Sequence, residues 1–156
     1  MPIAAAAFVV STAQLAKLGA LAAADDVDGF WELLHREAKR VVPEFPHSGY
    51  VVSVLLEYLE ERGLHIVSVD PGPEADRIAD AALGLQFCLT RTESARSVEA
   101  LEGFRATEGE FLTYYEEFAD EPLAHAGGAM LDGLEYLKRA LGALSSDEDH
   151  VLLFVG

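Results

Sequence analysis

The chain has 156 residues with a single cysteine, and its 11 Lys and Arg against 27 Asp and Glu leave a net charge of −16. A length of this order suits one domain, here residues 1–156, burying about two thirds of its unfolded surface around one core. The charge repels phosphate backbones and anionic lipid, which argues against nucleic acid and membrane surfaces as partners, and one cysteine excludes an intrachain disulfide or a multi-cysteine metal site.

Ile3 to Val10 is an apolar, β-branched run that predicts a buried strand. The N-terminus imitates a secretory signal, but no basic residue precedes the apolar run and Ser11, Thr12, Gln14 and Lys17 follow it closely. The expectation is a strand followed by a helix and, with no run near the roughly 18 apolar residues of a membrane span, a cytoplasmic chain. Ser11 and Gln14 match a capping box for a helix to about Ala24, carrying Leu15, Leu18 and Leu21 or Ala22 at helical spacing. The next helix is expected from about Gly29 to Val42, stopped by Pro43. Ser48 caps a third helix that ends at Gly63, and "LHIVSVD", residues 64–70, predicts a strand ending in the turn "DPGP". A helix from Pro73 to Leu83 and a strand "LQFCLT" follow, so a βαβ-like unit across residues 64–90 is one expectation. Glu93 to Phe104 suits a helix, Thr107 and Glu110 form a second capping box ahead of Phe111, Tyr115 and Phe118, and Pro122 interrupts. The final long helix carries Met130, Leu134, Leu137, Leu141 and Leu144 at helical spacing, too short a stripe for a coiled coil and suited to core packing. "HVLLFVG" predicts a terminal strand too apolar for an exposed edge. The fold expected is α/β, with α+β left open: a small mixed sheet including both terminal strands, packed by five to six helices.

The stretch "DDVDGFWELLHREAKR" tests first as a calcium loop, because Asp26, Asp28 and Gly29 fall on the third, fifth and sixth positions of an EF-hand. Ala24 at the first position and His35 at the twelfth supply no suitable oxygen, and no His-x-x-x-His occurs elsewhere, so neither a metal nor a cofactor is expected. Read as a helix, the stretch puts Phe30, Leu34, Ala38 and Val41 on one face with Trp31 and Val42 flanking, and leaves His35 on the boundary beside Trp31. A histidine there either satisfies a neighbour or faces a ligand. Asp70 ends a predicted strand, where α/β ligands gather, but it also starts a tight turn. Tyr114 stands at the edge of its helical face, His47 and His65 lack a sequence-local catalytic partner, and Cys88 sits in an apolar run that suits a buried thiol. No phosphate loop and no nucleophile elbow is present.

Three segments, "AAAAFVVSTAQLAKL", "DVDGFWELLH" and "CLTRTESARSVEALEGFRATEGEFLTYYEEF" with the closing "HVLLFVG", resemble the YfbM-like family of small bacterial proteins. The second is similar to that family's acidic residue, tryptophan, leucine and histidine on one helix, here Asp28, Trp31, Leu34 and His35. The likeness departs at "REAKRVVPEF" and at "GLHIVSVDPGP", so a function seated in residues 41–84 need not carry over. It implies a one-domain α/β fold and no established activity.

The leading expectation is a non-enzymatic interaction protein whose acidic surface meets a basic protein partner, an immunity-like neutraliser being one form. No Lys or Arg falls between Arg105 and Lys138, while Glu108, Glu110, Glu116, Glu117, Asp120, Glu121, Asp132 and Glu135 do. The alternative is a small-molecule-binding domain or enzyme with a pocket near Trp31 and His35, with Tyr114 as a further wall. A third class, a structural subunit joined through the Met130 to Leu144 stripe, predicts a stable oligomer.

Overall fold

The first strand forms where the sequence places it: β1 spans Ala5–Ser11 in the computed structural model, which describes residues 4–66, 68, 71–119 and 122–156. Ser11 then caps α1 (Thr12–Ala23). Its hydroxyl accepts the Gln14 N–H at 3.1 Å and Gln14 Oε1 accepts the Ser11 N–H at 2.9 Å, the complete capping box. Helix α2 (Val27–Glu37) starts on Asp26, whose Oδ1 accepts the Gly29 N–H at 3.0 Å, and Asp28 in the first turn places a second carboxylate at the positive end of the helix dipole.

Periodicity extends α2 to Val42, yet the helix ends at Glu37. Lys39–Arg40 instead form β2, paired with β1 at Phe8↔Arg40 and Val9↔Lys39, and the Val41 N–H continues the pairing by donating to the Ala7 carbonyl at 2.9 Å. The unsatisfied edge of β1 outweighs the local helical pattern, because the edge groups of a buried strand need partners. Val42, expected to flank the apolar face, is 66% exposed.

Helix α3 (Tyr50–Glu61) begins after Ser48, whose Oγ accepts the Tyr50 N–H at 3.3 Å, and the chain turns away at Gly63 with φ of 80°. The strand expected over 64–70 does not form at Leu64, His65, Ile66 or Ser68, and Val67, Val69 and Asp70 lie outside the described residues. Among the described residues no βαβ unit therefore arises there. Helix α4 (Gly72–Asp80) leads to β3 (Leu85–Thr90), and Thr90 with Glu93 forms a second complete capping box for α5 (Arg91–Glu102). Thr107 caps α6 (Glu108–Phe118) through the Glu110 N–H, although the Glu110 carboxylate turns to the Thr107 hydroxyl rather than back to its amide. Helix α7 (Ala126–Leu141) and β4 (Asp149–Val155) complete the chain, giving seven helices among the described residues where five to six were expected.

The protein is α/β. Its strands lie in the order β2-β1-β4-β3, so the two long end segments sit side by side at the centre, in register from Ala5↔Val155 to Ser11↔Asp149. Every described pairing is antiparallel, in place of the mixed directions expected. Alternate residues feed two separate cores. Ala5, Ala7, Phe87, Leu89, Val151 and Leu153 face α3, α5, α6 and α7, while Phe8, Val10, Cys88, Leu152 and Phe154 face α1, α2 and α4. Helices on both faces explain why "VLLFV" is apolar without alternation, a pattern that a half-solvated antiparallel sheet does not show. The Met130 to Leu144 stripe is buried inside the first core, so it offers no face for a coiled-coil partner.

Both edges are blunted. β2 is two basic residues long, and the Ser68 hydroxyl donates to the Cys88 carbonyl on β3. Gly84 opens β3 with φ of 87°; its carbonyl accepts the Val155 N–H at 2.9 Å, and a Cβ at this position would fall on the Val155 carbonyl oxygen. Beyond the reach of β2, the buried Ala7 N–H donates to the Tyr136 hydroxyl of α7 at 2.9 Å, tying the first core to the central strand. Among the described residues no helix is long and apolar enough to cross a membrane.

Candidate functional site

Trp31 and His35 are one helical turn apart on α2, at the margin of its buried face of Phe30, Leu33 and Leu34. Their rings stack with centroids 6.1 Å apart and planes at 29°. Beneath them lies the sheet. Trp31 meets Phe154 of β4 edge-on at 5.2 Å, and His35 meets Phe8 of β1 at 5.7 Å. Arg40 arrives from β2, because its pairing opposite Phe8 sets it beside that ring, with the guanidinium carbon 5.7 Å from the centroid. These side chains, with Leu83 on the rim, wall a cavity of about 250 Å³. Trp31 is half-buried and His35 exposed, so the cavity opens to solvent on the histidine side.

The other candidates lie apart. Tyr114 belongs to the core across the sheet, where it packs edge-on against Tyr58 at 4.9 Å and beside Phe118 at 4.5 Å. It lines no wall shared with Trp31. Burial, then the charge of Glu61 and its hydrogen bond, push the Tyr114 hydroxyl up to about 12, while Arg62 works against them. Asp70 lies outside the described residues. Cys88 is buried under α4, and burial with the nearby Glu93 charge pushes its thiol up to about 12, which leaves it a poor nucleophile.

One pairing was not legible in the sequence. His47 Nε2 lies 2.7 Å from Asp132 Oδ2, a partner 85 residues away on α7. Asp132, but not His47, lines a hollow of about 360 Å³ together with Phe45, Tyr136 and Arg139 among others, and no serine, threonine or cysteine lines it. The pair joins a loop to a helix without the nucleophile of a triad. His65 Nδ1 stands 3.8 Å from Glu60 Oε1, both side chains largely exposed. Among the described residues no three His, Cys, Asp or Glu converge as a metal ion requires.

His150 on β4 is the fifth histidine, and its Nδ1 is buried without a hydrogen-bond partner among the described residues. Burial lowers its pKa below the usual 6.5, against the raising influence of Glu93, Asp149 and Glu74. Between the lowered folded value and the unfolded one, the unfolded chain binds more protons, so this group makes stability rise with pH. The contribution is intact above about 6.5 and is lost as pH falls towards the folded value. Stability measured from pH 8 to pH 5 by urea unfolding should therefore fall further in the wild type than in His150→Gln. Parallel curves would show that His150 does not titrate differently on folding.

A separate face is formed by α3 and α6. Glu57, Glu60 and Glu61 of α3 and Glu108, Glu110, Glu116 and Glu117 of α6 are exposed, and none of the four on α6 joins an ion pair among the described residues. Among these acids Leu112 is 37% exposed and Phe118 is 55% exposed. Arg62, itself exposed, lays its guanidinium over the buried Tyr58 ring, 3.6 Å from the centroid. No family model, curated protein or solved structure matches the chain.

Proposed function

We propose that the chain is a non-enzymatic cytoplasmic interaction protein whose α3–α6 face binds a basic protein partner, an immunity-like neutraliser being one form. The observation that supports it most is Phe118, an exposed ring set beside unpaired carboxylates. A solvated acidic face needs no exposed aromatic, whereas an interface uses one as an anchor within a charged rim. Kinship with the YfbM-like family is part of the proposal, supported by Trp31 and His35 sharing one side of α2.

The test is retention of a partner on immobilised protein at low and raised salt, comparing the wild type with Phe118→Ala and with Glu116→Lys/Glu117→Lys. Wild type should hold a basic protein at about 50 mM salt and lose most of it by about 300 mM, since steering charges are screened beyond a Debye length. The charge reversal should weaken retention at least roughly tenfold. A partner held equally by all three, or held regardless of salt, rules the reading out.

A second reading rests on a different observation. Trp31 and His35 wall a cavity on the other side of the sheet from the acidic face, as a small-molecule-binding domain or enzyme needs.

A further inference from the structure

The side chains that wall the cavity beside Trp31 run against the overall charge of the molecule. In a chain of net charge −16, its wall carries the side chains of Arg40 and His35 and no Asp or Glu side chain, with the main chain of Gly156, whose carbonyl accepts the Ala4 N–H at 3.2 Å, as a further part of the lining. The remaining surface is suited to a flat ring. Trp31 offers an indole, Phe8 and Phe154 meet the cavity from two adjacent strands, and Leu83 closes the rim. Arg40 is only partly engaged. Its Nε lies 3.3 Å from Glu44 Oε1, and both side chains are solvent-accessible, at 37% and 61%. An exposed pair of this kind holds weakly. A guanidinium has five N–H donors, and no other hydrogen bond of Arg40 is present among the described residues, so its free edge can receive a carboxylate in two-pronged fashion.

Resting on the second reading above, we infer that this cavity binds a small aromatic carboxylate, its ring between Trp31 and the phenylalanines and its carboxylate on Arg40. Size agrees: an apolar cavity of about 150 Å³ accommodates benzene, and the volume of about 250 Å³ here leaves room for the carboxylate as well. His35, stacked on Trp31 at the open side, can donate a second hydrogen bond to the same group.

Trp31 is the only tryptophan, so its indole N–H gives one resolved cross-peak in a ¹⁵N-labelled sample and reports the cavity directly. Benzoate, benzamide and benzylamine, nearly equal in shape and carrying negative, zero and positive charge, are titrated up to about 10 mM, the range expected for ligands of nine or so heavy atoms. Benzoate should shift the Trp31 peak with at least roughly tenfold higher affinity than benzamide, and benzylamine should bind least. Arg40→Gln should bring benzoate down to the level of benzamide, whereas Glu44→Gln, which frees the guanidinium, should strengthen benzoate. Equal affinity for benzoate and benzamide, or preference for benzylamine, overturns the carboxylate assignment while leaving a ring-binding cavity. Absence of any Trp31 shift with all three overturns both. The charge series on the wild type decides the matter even if a variant does not fold.

Discussion

Phe154→Ala should cost about 3–5 kcal/mol of folding stability, the range for removing a buried phenylalanine from a core that relaxes only in part. Phe154 is 3% exposed on a strand paired along both edges, and its ring meets those of Phe8 at 6.2 Å, Phe30 at 5.9 Å and Trp31 at 5.2 Å. No neighbour can close the gap by moving alone. Phe8 is fixed by its own strand pairing, and Phe30 and Trp31 are fixed to α2 by the Asp26 cap and the helix they share. Urea unfolding followed by Trp31 fluorescence should show a lowered midpoint with an unchanged denaturant slope. A loss below about 1 kcal/mol would mean that the aromatic cluster packs loosely enough to refill the space.

Gly84→Ala is the second large effect, and its origin is backbone geometry rather than burial. At φ of 87° an L-residue is strained, and the left-handed region alone costs roughly 1–2 kcal/mol. Strain of that kind is tolerated elsewhere, since Ala82 stands at φ of 54° only two residues earlier. What separates Gly84 is its neighbour. The added Cβ would fall on the Val155 carbonyl oxygen, with the Val155 carbonyl carbon at 3.1 Å, and neither can turn aside as a side-chain tip could. The expected total is at least about 2 kcal/mol, accompanied by loss of the Val155 N–H to Gly84 carbonyl bond. Hydrogen exchange should show Val155 deprotected while Val151, deeper in the sheet, keeps its protection. Unchanged exchange at Val155 would show that the strand accommodates the methyl group.

These two positions illustrate what local pattern can and cannot reveal. The apolar run at the start of the chain, the Ser11 and Gln14 box, "LQFCLT" and the Met130 to Leu144 stripe were readable because their signals are strictly local: a cap three residues long, a short apolar run, a period near 3.6. Lys39 and Arg40 were misread as helix because the deciding interaction, the vacant edge of β1, lies about thirty residues back and leaves no mark on the segment itself. The same event hid half of the site. Trp31 and His35 announce each other by a spacing of four, whereas Arg40 joins them only through β2, and Tyr114 leaves them because its helix packs on the opposite face of the sheet. His47 and Asp132 likewise meet only through tertiary structure.

The strand order β2-β1-β4-β3 also governs when the molecule can exist at all during synthesis. β4 fills the place between β1 and β3, so until Leu153 has been made, Ala7 has no partner on that side and the first and third strands present bare edges to each other across a gap. At ribosomal speeds of about 5–20 residues per second the nascent chain carries the β1 edge for about 7–30 s and the β3 edge for about 3–13 s before Leu153 is made. Contacts of such long sequence separation are also slow to close once available. Folding of the sheet thus waits for β4, and the interval before it is when the apolar first strand most needs shielding from other chains.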